Sequence, residues 1–171
     1  MKNRLLGEKH PETITAMNNL AMTYSSLGKY EDAEKLSVDV LNLRNRLFGE
    51  EHPDTITAIN DLAITYWRQG KYTDAEKLQI QVLHMRSRLL EENHPDTIDV
   101  MENLAITYKD LEKYTDAERL EVQVVDLRKQ IFGGEHPKTV KAVALLELIR
   151  SQANRITPRT ELKKKGESYQ F

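Results

Sequence analysis

The stretch Gly49-Glu50-Glu51-His52-Pro53-Asp54-Thr55 returns along the chain as GEKHPET from Gly7, EENHPDT from Glu91 and GGEHPKT from Gly133, each copy 42 residues after the last. A fixed period of this length marks a stacked repeat protein, in which each unit buries its apolar face against its neighbours. This periodicity constrains the fold before any single residue is weighed. It also moves the functional question from an enclosed active site to an extended surface.

Within one period the sequence carries two helical patterns. Repeats 7–48 and 49–90 share roughly 26 of their 42 positions. In the first, Ile14, Met17, Leu20, Ala21, Tyr24 and Leu27 fall on one face of a 3.6-residue period. Ile56, Ile59, Leu62, Ala63 and Tyr66 repeat that face, as do Ile98, Met101, Leu104, Ala105 and Tyr108. Pro11, Pro53, Pro95 and Pro137 precede it, at the first helical position where a missing N–H costs nothing. Glu12, Asp54 and Asp96 follow, where the helix dipole favours an acid. Gly28 and Gly70 stand where the first helix must turn left-handed to end, and Glu112 occupies the same place in the third repeat at a cost of roughly 1 kcal/mol. A second helix follows, striped by Ala33, Leu36, Val40, Leu43 and Leu47. Ala33, Ala75 and Ala117 are small at one equivalent place, as close helix approach requires.

The order Asn19-Leu20-Ala21, Tyr24, Gly28, Tyr30, Ala33 resembles the tetratricopeptide repeat. The 42-residue spacing and the linker GEEHPDT resemble its long-linker branch, which includes kinesin light chains and the arrays at the C-terminal end of fungal NB-ARC-type receptors. The second helix Leu78-Gln79-Ile80-Gln81-Val82-Leu83 and the HPDTIT opening are more similar to the fungal arrays. The resemblance covers residues 1 to about 152 and implies an all-α, right-handed superhelical solenoid of helical hairpins, seven helices in all.

The expected organisation is the end of a truncated preceding repeat (1–6), three repeats (7–48, 49–90, 91–132), a capping helix (133–152) and a disordered tail (153–171). Met1–Leu6 are in register with Leu43–Phe48, so the chain is expected to be a fragment of a longer array. At the other end Glu147 and Arg150 replace Ala21 and Tyr24, which suits a solvent-facing cap with no helix after it. Pro158, Lys163-Lys164-Lys165 and Gly166 lack apolar periodicity and read as a solvated tail.

No catalytic chemistry stands out. His10, His52, His94 and His136 occur once per repeat, and helices about 8–10 Å apart keep them from sharing a metal, so their expected place is the helix start. HExxH, GxSxG, GxxxxGK[ST] and GxGxxG motifs are absent. The chain has no cysteine, which excludes disulfides, thiolate metal sites and cysteine nucleophiles. Its net charge of −2 gives no footprint for nucleic acid. No apolar run approaches a membrane span, and the first residues lack a signal-peptide core. The reading is a cytoplasmic, non-enzymatic protein without metal or cofactor.

By the resemblance, the first helices line a concave groove for a protein or peptide ligand. Their non-core face carries Asn18, Asn19 and Met22 in the first repeat. In the second it carries Asn60, Asp61, Ile64, Trp67 and Arg68, and in the third Asp99, Glu102, Asn103, Ile106, Lys109 and Asp110. Asn19, Asp61 and Asn103 match the place where family members hold a peptide backbone, although bonding between repeats would serve such a group equally. Trp67, the only tryptophan, is an anchor candidate. Asp61, Asp99, Glu102 and Asp110 suit a ligand with basic character. With Thr15, Thr57 and Asp99 where terminal-carboxylate binders carry cations, that ligand class is rejected. The leading expectation is the recognition or adaptor part of a larger multidomain protein. A kinesin light chain-like cargo adaptor and a structural self-association module are the alternatives, and the oligomeric state is left open.

Overall fold

Every repeat opens with a proline-started helix and continues into a second helix. In the computed structural model, which describes residues 10–91 and 93–166, these are α1 (Pro11–Ser26), α2 (Tyr30–Phe48), α3 (Pro53–Arg68), α4 (Tyr72–Leu89), α5 (Pro95–Asp110), α6 (Tyr114–Phe132) and α7 (Pro137–Gly166). The described residues contain these seven helices and no strand, as the periodicity predicts. The truncated repeat expected at 1–6 lies outside them, as do residues 167–171. The chain divides into two compact units, an N-terminal one with α1–α4 and a C-terminal one with α5–α7.

Each linker histidine is the N-cap of the helix that follows. The amides of Glu12, Asp54, Asp96 and Lys138 donate to Nδ1 of His10, His52, His94 and His136 at 3.1–3.2 Å. One orphan amide of each first turn is thereby satisfied. An imidazole that accepts at Nδ1 carries its proton on Nε2, which fixes the tautomer. Phe48 stacks on His52 and Phe132 on His136, with ring centroids 4.6 and 4.7 Å apart, joining the end of one repeat to the cap of the next.

The first helices end in the same double-bonded turn. Lys29, Lys71 and Lys113 amides donate back to the carbonyls of Tyr24, Tyr66 and Tyr108 at 2.8–2.9 Å, and residues 28, 70 and 112 donate to residues 25, 67 and 109. This geometry needs a left-handed residue. Gly28 and Gly70 supply φ of 74° and 75°; Glu112 adopts φ 60° and keeps the turn intact. Each lysine also lies over its tyrosine ring, 5.3–5.7 Å from the centroid.

In the N-terminal unit the core joins Ile14, Val40 and Ala58, with Met17, Leu41 and Leu43 packed against them. Ala33 and Ala75 are fully buried where paired helices approach. Glu34 of α2 accepts from Gln69 Nε2 and Lys71 Nζ at 2.8 Å, tying the repeats; the Lys71 hydrogen bond holds the Glu34 carboxyl below its ordinary value against partial desolvation. Leu20, Leu27 and Leu47, expected on the apolar stripes, are exposed. Leu27 sits in the turn after α1, and Leu47 lies in the last turn of α2.

In the C-terminal unit, Leu104, Ala105, Ala117, Val124, Ala142 and Ile149 belong to the buried core. Glu147 and Arg150 are exposed, and Arg150 Nε donates to Glu118 at 2.7 Å. Helix α7 differs from the expectation, since it continues past Gln152 to Gly166 through Pro158. Apolar periodicity reports what a helix packs against, and it stops near 152; the mostly helix-favouring residues beyond continue the helix without it.

Candidate binding site

The faces expected to bind are placed by the helix period. On α1, Asn18, Met22 and Ser25 are spaced i, i+4, i+7; on α3, Asn60, Ile64 and Trp67 repeat the spacing. The two helices touch within the N-terminal unit. Asn18 Nδ2 donates to Asp61 Oδ2 at 2.8 Å. Burial pushes the Asp61 carboxyl above its ordinary value, and the Asn18 bond and the charges of Arg44 and Arg86 only partly offset this. Asp61 therefore joins two repeats, the second of the two uses weighed for this position. Asn19 is exposed, while Met22, Asn60, Ile64 and Trp67 are half-buried. Arg68 Nη1 donates to the hydroxyls of Ser25 (3.4 Å) and Ser26 (3.1 Å).

The acidic face of the C-terminal unit is paired within the chain. Arg128 of α6 is 2 % exposed, and its guanidinium donates to both Glu102 oxygens, to Asp99 Oδ1 at 2.9 Å and to the Lys138 carbonyl at 3.0 Å. Lys138 Nζ lies 3.2 Å from Asp99 Oδ2. Lys109 and Asp110 pair at 2.9 Å, both largely covered. Asn103 and Ile106 are half-buried beside them. A basic ligand would have to displace Arg128 or Lys138 to reach Asp99 and Glu102.

Arg128 and Glu121 were absent from the sequence expectation. Glu121 is completely buried, with no hydrogen-bond partner on either carboxylate oxygen. Desolvation, reinforced by the Glu102 charge and opposed by Arg128, pushes its carboxyl up to about 8. The register held a signal for both. Ser37, Gln79 and Glu121 occupy one place, as do Arg44 and Arg128, and all five are buried. Arg44 Nη1 donates to the Asp54 carbonyl at 2.8 Å, as Arg128 does to that of Lys138. The buried arginine thus clamps the start of the next helix in both units.

Among the described residues no group of three or more His, Cys, Asp or Glu is placed to hold a metal, and no helix is long and apolar enough to cross a membrane. The histidine Nδ1 atoms are used as caps.

Models described as tetratricopeptide repeat match residues 13–54 and 58–130. Among curated proteins no sequence matches. Of solved structures, a single-substitution variant of a Podosopora anserina kinesin light chain candidate with nearly identical TPR-like repeats is similar at TM-score 0.76 and 23% identity, over 98% of this chain and 79% of that one. The parent protein gives 0.72 and 23%, over 94% and 76%. BtubC (BKLC) from P. vanneervenii gives 0.73 and 18%, over 93% and 66%. These identities speak for the fold.

Proposed function

We propose that this chain, which belongs to the tetratricopeptide repeat family, is a non-catalytic scaffold that binds a protein or peptide through the exposed faces of its first helices. The observation that carries the reading is on the N-terminal unit. Met22, Ile64 and Trp67 are only half-buried, on helices that bury Ile14, Ala21, Ile59 and Leu62, and they are flanked by the polar groups of Asn19, Asn60 and Arg68. An apolar strip with hydrogen-bonding borders suits an extended segment held by side-chain pockets and backbone contacts. In the C-terminal unit half-buried Asn103 and Ile106 offer a second such face, bordered by the Lys109–Asp110 pair.

Internal pairing of Asp99 and Glu102 weighs against a strongly basic ligand. Arg68, which donates to two serine hydroxyls, can instead receive an acidic group. A cytoplasmic adaptor within a larger multidomain protein is the setting we favour. A peptide-array or pull-down screen tests the site, repeated with Trp67→Ala and Asn103→Ala. Loss of bound partners in these variants is expected. Retention of every partner at unchanged affinity would overturn the assignment.

A second reading, a kinesin light chain-type cargo adaptor, is supported by the likeness of the fold to a kinesin light chain candidate. Co-purification with a kinesin motor subunit would support it. A third, self-association through the same faces, predicts concentration-dependent mass in light scattering, and a strict monomer excludes it.

A further inference from the structure

The C-terminal unit holds two buried groups whose hydrogen-bonding capacity is unused and complementary. Both oxygens of Glu121 lack a partner, and so does Nε of Arg128, on the same helix. They are seven residues apart on one face, about 10 Å along the axis at 1.5 Å per residue, and both lie beside Glu102, whose oxygens accept from Arg128 and whose charge acts on Glu121. We propose that Arg128 is a two-position latch set by a proton on Glu121, clamping the start of α7 when that carboxyl is neutral and turning back to Glu121 when it ionises.

The charges around the site support this. Helix α5 presents Asp99 and Glu102, and α6 supplies Arg128 and Glu121 itself. Helix α7 contributes Lys138, with its cap His136 and, further along, Arg150 held by Glu118. With Glu121 protonated, Asp99 and Glu102 are balanced by Arg128 and Lys138. Releasing the proton to solvent leaves one buried negative charge in excess, and the nearest movable cation is Arg128. Turning toward Glu121 takes Nη1 from the Lys138 carbonyl, the bond that fixes α7 to α6, and takes the guanidinium from Asp99 and both oxygens of Glu102, so that the excess charge comes to rest on α5 carboxylates that are partly open to solvent. The elevation of the Glu121 carboxyl to about 8 places the change near neutrality. The N-terminal unit has the same clamp without the second position, because Ser37 stands where Glu121 does and has no charge to offer Arg44.

The test is hydrogen exchange and NMR on the full chain and on Glu121→Gln, which copies the buried Gln79 of the second repeat. The latch predicts that protection of the Thr139 and Val140 amides, relative to the variant, falls by up to about tenfold per pH unit until pH 8. The Thr55 and Ile56 amides, under the Arg44 clamp, should keep one profile in both proteins. The Arg128 Nε–H resonance should shift with the Glu121 carboxyl carbon as it titrates. Identical exchange profiles at α7 in the two proteins overturn the latch, as does an Arg128 Nε resonance that stays still while Glu121 ionises. Glu121→Ser, copying Ser37, takes the place of the glutamine variant should that one not fold, with the same outcomes.

Discussion

The clamp at Arg44 and the clamp at Arg128 are one device in two electrical settings. Both arginines are buried and both bond the carbonyl of the second residue of the following helix. Around Arg44 the equivalent buried place is a serine; around Arg128 it is a glutamate, and Asp99 and Glu102 join as ion partners. A repeat frame therefore fixes where a polar group is buried and leaves its charge free to differ.

Removing the arginines separates the two settings most sharply. Arg128→Met should cost roughly 3–5 kcal/mol, since it leaves carboxylates without their buried cation. Arg44→Met loses one charged hydrogen bond to backbone and a favourable charge near Asp61, with no direct ion pair among the described residues broken, and should cost about 1.5–3 kcal/mol. Chemical denaturation of each variant checks the difference, and equal losses would erase the distinction.

Glu121→Gln should act in the other direction and depend on pH. In the folded chain the carboxyl holds its proton up to about 8, against an ordinary 4.5. The raised value contributes stability that is whole below 4.5 and is lost as pH climbs to 8. Relative to the parent, the variant should therefore gain on the order of 1–3 kcal/mol at pH 8, with the gain disappearing toward pH 5. Denaturation midpoints across that range read it out, and a pH-independent difference would reject it.

The caps are expected to be alike in the two units. His52→Ala and His136→Ala should each cost about 1 kcal/mol, as loss of an N-cap does. His52→Asn should cost much less, because the amide oxygen can accept from the same N–H. Melting curves of the three variants would show whether the imidazole acts here as a cap or only as a partner of the phenylalanine rings.

The smallest effect concerns the turns. Glu112 keeps a left-handed φ of 60° where Gly28 and Gly70 sit without strain. Glu112→Gly should raise stability by about 0.5–1 kcal/mol, while Gly70→Glu should lower it by a similar amount. An unchanged melting temperature for both would remove backbone strain from the comparison.

Much of this fold was legible in the sequence because its signals are local and repeated. The prolines, the acids after them, the turn glycines and the small Ala33, Ala75 and Ala117 all do their work within one hairpin. The buried polar residues were not legible. Thr13, Thr55, Thr97 and Thr139 are almost completely buried, as are Gln79, Glu121 and Arg128, yet an apolar count scores each as surface. Whether such residues are covered is decided by the helices packed against them, so only tertiary packing shows it. The same blindness affected the expected binding face. Asp99, Glu102 and Asp61 looked available as charges, and contacts 29, 26 and 43 residues away in sequence already engage them. The helix beyond Gln152 was missed for the converse reason, since its sequence carries no apolar period to announce it.

The stacking of Phe48 on His52 and of Phe132 on His136 gives the chain two built-in reporters. A phenyl ring 4.6–4.7 Å from an imidazole shields its protons, so both histidines should resonate upfield of His94, which has Leu90 at the phenylalanine position. Any event that opens one linker would shift one of these signals and leave the other in place. Ligand binding, denaturant and mutation could then each be assigned to a unit from a one-dimensional spectrum, without labelling the protein.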